Sequence, residues 1–138
     1  CYWYTARISR YFTLENRVFD EQPREALLAP AALTLGLVEA AAEAWEEVAS
    51  HEWDALRRLR PRACRDGLTA RVNGASAATL IERMLEVAAT GLRKRDRGEE
   101  QFLLPLRERL RRGVCPADDI KEFRNGNWPA NLLENRAL

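Results

Sequence analysis

The tightest constraint in the chain is the run YFTLENRVFDEQP, Tyr11 to Pro23. From Phe12 the side chains alternate in character. Phe12, Leu14, Asn16 and Val18 share one face of an extended segment, and Thr13, Glu15, Arg17 and Phe19 share the other. The first face is apolar but for Asn16, so it is expected to lie on a core. The second carries a carboxylate and a guanidinium two residues apart, pointing the same way. An acidic turn and Pro23 then end the strand, and an Ala/Leu-rich segment follows that reads as a helix. A strand with a free edge needs partners. Little else in the chain reads as strand, so the segment is expected to belong to a longer protein.

Upstream, Tyr2 to Ser9 is aromatic and β-branched and alternates loosely, with Trp3, Thr5, Arg7 and Ser9 in one row. Ser9-Arg10 is a poor two-residue turn. Either a bent strand continues into Phe12, or a longer loop separates two strands; the second reading is preferred. Downstream, Asp20 or Gln22 can cap a helix with Pro23 at its first position. Pro30 should kink or restart it. Leu37, Val38, Ala41, Ala44, Trp45 and Val48 continue one apolar face, with Glu39, Glu43, Glu46 and Glu47 on a solvated one. Ser50 reads as the cap of a helix anchored by Trp53 and Leu56. That helix is interrupted at Pro61 and stopped at Asp66-Gly67.

Leu68 to Val72 reads as extended, and Asn73-Gly74 as a turn. Ser76 caps an amphipathic helix with Leu80, Ile81, Met84, Leu85, Val87, Ala88 and Leu92 inward. A further helix begins at Glu99, carries Phe102, Leu103, Leu106 and Leu110 on one stripe, and contains Pro105. Cys115-Pro116 opens a short helix, and Trp128 anchors the tail. The four tryptophans, at 3, 45, 53 and 128, read as core residues rather than ligand platforms.

Composition narrows the class. Apolar residues at 46% and charged residues at 31% fit a globular domain rather than a disordered one. A net charge of +1 supplies no overall field for nucleic acid or membrane. The apolar run from Ala26 to Val38 is shorter than the ~20 residues of a membrane span. Cys1, Cys64 and Cys115 with the lone His51 make no zinc pattern. Three reduced thiols and no basic-then-apolar leader point to the cytoplasm.

The order apolar-Glu15-x-Arg17, short acidic and Pro-containing loop, then Ala26-Leu27-Leu28-Ala29-Pro30-Ala31-Ala32-Leu33-Thr34-Leu35-Gly36-Leu37 resembles the final core strand and following helix of glutamine-synthetase-like ligases. It is most similar to the glutamate–cysteine ligase and carboxylate–amine ligase branch. Ala63-Cys64-Arg65-Asp66-Gly67-Leu68 matches a further segment of that family. The resemblance covers about Phe12 to Leu138, which would be the last third or so of such an enzyme.

It implies an α+β fold, with one or two strands and a loop over residues 1–22 and a helical segment over 23–138, forming the C-terminal part of a glutamine-synthetase-like catalytic domain. It implies ATP and Mg²⁺ as cofactors, a glutamate-like carboxylate and an amine as substrates, and an acyl-phosphate intermediate. Glu15 would be a Mg²⁺ ligand, and Arg17 would contact the transferred phosphoryl group as a catalytic and phosphate-binding residue. The missing strands would come from the upstream part of the same enzyme or a complementing subunit; a homo-oligomer is compatible. The acceptor amine is left open.

Each of these residues has a plainer role beside the functional one. Glu15 and Arg17 also suit an ion pair on a half-exposed strand. Asn16 suits a hydrogen-bonded edge, and Asp20 and Glu21 suit turns and caps. Arg57, Arg58, Arg60, Arg62 and Arg65 suit a solvated helix face better than nucleic-acid binding, because Glu52, Asp54 and Asp66 dilute their field and no glycine-rich phosphate loop adjoins. The rival readings are a non-catalytic helical interaction module and a small helical nucleic-acid binder.

Overall fold

At the centre of the fold two helices meet main chain to main chain. The computed structural model describes residues 6–19, 22–114 and 118. In chain order the described elements are β1 (Ala6–Ile8), β2 (Leu14–Asn16), α1 (Ala29–Glu39), α2 (Ala41–Ala49), α3 (Trp53–Asp66), β3 (Arg71–Val72), β4 (Ala75–Ser76), α4 (Ala77–Lys94) and α5 (Leu104–Arg112). Short 3₁₀ turns at Arg24–Ala26, Gly67–Thr69 and Glu99–Leu103 join them. The class is α+β, a short antiparallel strand pair followed mostly by helix. Asp20, Glu21, Cys1, Trp3, Cys115, Trp128 and the helix expected at Cys115-Pro116 lie outside the described residues.

The helix pair is α1 and α4. A Cβ on Gly36 would stand 2.3 Å from the Ala88 carbonyl oxygen, and one on Gly91 only 2.0 Å from that of Gly36. Both positions therefore require hydrogen. Around this contact Ala32, Leu85, Ala88, Ala89, Leu92 and Leu103 are buried, with Leu33, Leu35, Leu37, Leu106 and Leu110 packed against them. A second cluster gathers Ala55, Leu59, Ala70, Val72 and Ala77, where α3 meets the β3–β4 hairpin. That hairpin turns at Asn73-Gly74, both left-handed with φ of +48° and +82°, as the dipeptide predicts.

The prolines divide. Pro30 and Pro105 each fall in the first turn of a helix, where their missing N–H costs nothing, so α1 and α5 start there. Pro61 does not interrupt α3, which runs through it to Asp66 before Gly67 stops it at φ +58°. Pro61 is on the exposed side, where water can satisfy the carbonyl it leaves unpaired.

The expected long face from Leu37 to Val48 is not continuous. The chain breaks at buried Ala40, and α2 leaves at 87° to the preceding segment. Val38 and Trp45 consequently stand in solvent, Trp45 at 71% exposure, and Trp53 is exposed as well, so these two tryptophans are not core. Nor is the acidic row merely solvated. Glu39 accepts from Arg95 Nη1 at 2.6 Å, Glu47 from Arg83 Nη1 at 3.1 Å and Glu43 from Lys94, which ties α1 and α2 to α4 and its C-cap residue. Of the four, Glu46 alone follows expectation and stays exposed. Ser50 closes α2, its hydroxyl donating to the Glu47 carbonyl at 2.7 Å, and does not open α3.

In α4, Leu85, Ala88 and Leu92 are buried as expected. Leu80, Met84 and Val87 are half-buried, and Ile81 is exposed. Ser76 takes the N-cap position without a side-chain cap bond. Among the described residues no single helix is long and apolar enough to cross a membrane.

Gly91→Ala drives a methyl into main-chain atoms that have no rotamer to yield, so it should cost about 3 kcal/mol or more. Leu85→Ala should cost about 2–5 kcal/mol by opening a cavity. Urea midpoints of the two variants measure both; unchanged midpoints would place this contact outside the stable core. The Glu43, Glu47 and Glu86 carboxyls are held below their ordinary value of 4.5 chiefly by hydrogen bonds from Lys94, Arg83 and Arg107 respectively. Their folded-state values are depressed, so their stabilisation is full above about pH 5 and is lost as pH falls through those values. The melting temperature should therefore fall on acidification below pH 4.5, and less steeply in the Arg83→Ala variant.

Candidate functional site

β1 and β2 pair antiparallel with Ala6 opposite Asn16, Arg7 opposite Glu15 and Ile8 opposite Leu14. Two strands joined by a longer loop is the expected alternative that holds. The loop is closed by Ser9. Its N–H donates to the Thr13 carbonyl at 2.8 Å, and its hydroxyl lies 2.7 Å from Thr13 Oγ1 and accepts from the Tyr11 N–H at 3.1 Å. Phe12 sits inside this loop at φ +59° and is 93% exposed, so the strand begins at Leu14 and not at Phe12.

The strand also ends early, at Asn16. Asn16 Oδ1 accepts the Val18 N–H at 3.1 Å, which turns the chain. Past this turn the two-residue alternation no longer assigns faces. Phe19, expected beside Glu15 and Arg17, instead joins Leu14 and Asn16 over α1, lining an open groove with Pro30, Thr34 and Val38. Phe12, Leu14 and Val18 are exposed rather than core. Asn16 ties the hairpin down: its Nδ2 donates to Thr34 Oγ1 at 3.0 Å, and that hydroxyl donates to the Pro30 carbonyl at 2.9 Å.

On the other face Glu15 lies between two guanidiniums. Oε2 is bonded by Nε of Arg7, and Oε1 lies 3.1 Å from Nε of Arg17. Arg7 holds the Glu15 carboxyl below its ordinary value; partial burial opposes this, and Arg17 adds to the lowering. Glu15 and Arg17 thus come together as their spacing implies. Arg7 completes the group, and sequence reasoning did not single it out. The signal was there: Arg7 belongs to the same row as Trp3 and Thr5, and an antiparallel return through Ser9–Thr13 sets it opposite Glu15.

The donor set can be judged against Mg²⁺ and phosphate. A half-exposed carboxylate is a hard oxygen donor of the right kind. It is a single one, and among the described residues no group of three or more His, Cys, Asp or Glu side chains gathers for a metal. Two guanidiniums and one carboxylate carry net +1, which suits an oxyanion. The cluster fits the edge of a metal–phosphate assembly better than it fits a bare ion.

Elsewhere the candidates are plainer. Arg65 chelates Asp66 at 2.8 and 2.9 Å, Arg57 approaches Asp54 at 3.9 Å, and Arg62 donates to the Arg71 carbonyl at 3.1 Å. The α3 arginines are thus largely engaged within their own surface. A cavity of about 530 Å³ between α1, α4 and α5 is almost wholly apolar. Val18, Leu37, Ile81, Met84 and Leu110 line it, and Arg109 Nη1 donates at its rim to Gln22 Oε1 at 2.7 Å. It holds no acid or nucleophile.

The sequence profile of Glutamate-cysteine ligase family 2 (GCS2) matches residues 4–134, from the first strand past α5. Glutamate–cysteine ligase, chloroplastic, of Medicago truncatula is 30% identical over 135 residues, which is 91% of this chain and 25% of that protein. The chain spans about a quarter of the length of the curated relative it matches. No solved structure matches. With the Glu15–Arg17 strand and the helices behind it inside the matched span, the chain belongs to glutamate–cysteine ligase family 2.

Proposed function

We propose that the chain is part of an ATP-dependent carboxylate–amine ligase of the glutamate–cysteine type, and that the β1–β2 hairpin forms one wall of its active site. The fold we assign to the whole is glutamine-synthetase-like, with β2 as a core strand and the helices packed behind the sheet. The observation that carries the reading is the Arg7–Glu15–Arg17 cluster within a family-matched chain. It offers an oxygen ligand and two guanidiniums on one face of a hairpin whose other face is tied to α1.

The chemistry explains the need for such a wall. A carboxylate is a poor electrophile. One of its oxygens attacks the γ-phosphorus of ATP, ADP leaves, and an acyl phosphate forms. The amine then attacks the acyl carbon, phosphate departs, and the new amide nitrogen loses a proton. Positioning and charge stabilisation dominate catalysis of such a transfer. Mg²⁺, when bound, would bridge phosphate oxygens and offset their charge.

Glu15 would supply a carboxylate oxygen to that ion, held rigidly by the strand pair. Arg17 would present its planar fork to the transferred phosphoryl group. One carboxylate does not make a complete metal site, so the 138-residue chain by itself should be catalytically silent. Placement in the cytoplasm rests on the thiol composition alone; the plant relative is by its name chloroplastic.

In the protein at its full natural length, Glu15→Gln keeps the shape and removes the charge. Activity should fall by about 100-fold or more, with only partial recovery in excess Mg²⁺. Arg17→Lys keeps the charge and loses the fork, so kcat should fall further than KM rises. Steady-state kinetics with glutamate and a panel of amines, read as ADP release, measure both. Near-normal turnover by Glu15→Gln would remove the ligase site from this hairpin.

A further inference from the structure

We propose that Arg7 is a positioning residue for Glu15, and that the Arg7–Glu15–Arg17 clamp accepts a divalent cation only together with a polyphosphate that takes over the guanidiniums. The clamp rests on the geometry of the hairpin; only the identity of the polyphosphate, a nucleoside triphosphate, rests on the ligase reading.

Three observations carry the inference. Arg7 faces Glu15 directly across the strand pair, so the contact is set by backbone register. The two guanidiniums divide the carboxylate, Arg7 on Oε2 and Arg17 on Oε1, so each oxygen a metal would use already meets a cation. Arg7 is also the most exposed of the three, its side chain 54% accessible against 35% for Glu15 and 31% for Arg17, so it can swing outward without disturbing a packed neighbour.

A bare dication approaching this group meets a net positive charge and must shed tightly held water to reach one shared oxygen. Both terms oppose binding. A dication arriving on a triphosphate brings excess negative charge. Phosphate oxygens are good partners for a guanidinium fork, so Arg7 can exchange a carboxylate for a phosphate while Glu15 turns its freed oxygen to the metal. Arg7 thereby keeps Glu15 ionised and oriented before the ligand arrives, and binds the ligand afterwards.

The test uses Mn²⁺ as the probe on the full-length protein. Free ion is counted by electron paramagnetic resonance, with and without a β,γ-imido analogue of ATP. Without nucleotide, Glu15→Gln should leave the wild-type Mn²⁺ titration unchanged. Arg7→Ala should tighten or add a Mn²⁺ site by about tenfold, the order expected for removing one nearby cation, and Glu15→Gln in that background should abolish it.

With the analogue present, wild type should take up Mn²⁺ in a Glu15-dependent way. Arg7→Ala should weaken analogue binding by about fivefold or more, with Arg7→Lys recovering part of the loss. Melting curves check folding, and Arg7→Gln serves should the alanine variant not fold. Glu15-dependent Mn²⁺ binding by wild type without nucleotide overturns the proposal. So do Arg7 variant titrations that superimpose on wild type, which would make Arg7 an ordinary cross-strand pair. If the Mn²⁺ pattern holds while wild type releases no ADP with any carboxylate and amine, the ligase reading fails and the clamp is supported.

Discussion

The contact on which the rest depends is the approach of α1 to α4 at Gly36 and Gly91. Side chains normally keep helix axes 8–10 Å apart. Here two residues without side chains let a carbonyl of each helix face the main chain of the other. That closeness buries Ala40 at the end of α1 and sends α2 off at a right angle. It also holds α1 still. Two strands of three residues have no stability of their own, so the hairpin takes its place from α1. The link is the bond from Asn16 to Thr34, on a helix whose position α4 decides. The geometry of Glu15 is therefore inherited, through Asn16 and Thr34, from a helix contact on which it makes no direct call.

Charge follows the same plan. The chain is nearly neutral, yet its acids and bases are sorted by element. α1 and α2 bring Glu39, Glu43 and Glu47, and α4 and its C-terminal extension bring Arg83, Lys94 and Arg95. These pairs are partly exposed and individually weak. They join the apolar seam to its flank and fix how α2 lies after the break at Ala40. The Arg7–Glu15–Arg17 group differs in kind. It has one more cation than anion and joins no helices, a surplus with no stabilising purpose in the folded chain.

Local chemistry was legible in the sequence wherever it alone decides the outcome. Asn73-Gly74 turned the chain, Gly67 ended α3, and Pro30 and Pro105 started helices. The two-residue spacing of Glu15 and Arg17 put them together. Legibility failed where a distant partner decides. Nothing between Leu37 and Val48 marks a break at Ala40, because its cause is Gly91, about fifty residues away. Glu43 reads as solvated until Lys94 is known to lie beside it. Alternation in Phe12 to Phe19 was extrapolated beyond its reach, since the Ser9 loop consumes its first residues and the Asn16 turn its last. Arg7 was missed for want of the hairpin register.

The α1–α4 contact has a genetic consequence. When a bulky residue spoils a packed core, a neighbour can shrink and restore the fit. At Gly91 the obstructing atom is the main-chain oxygen of Gly36, which every amino acid possesses. No second substitution elsewhere can make it smaller. A lineage that loses either glycine can regain the arrangement by true reversion or by moving an entire helix, and moving α1 carries the Asn16 anchor with it. Intragenic suppressors of damage at these two positions should accordingly be scarce, however many side chains are free to vary around them.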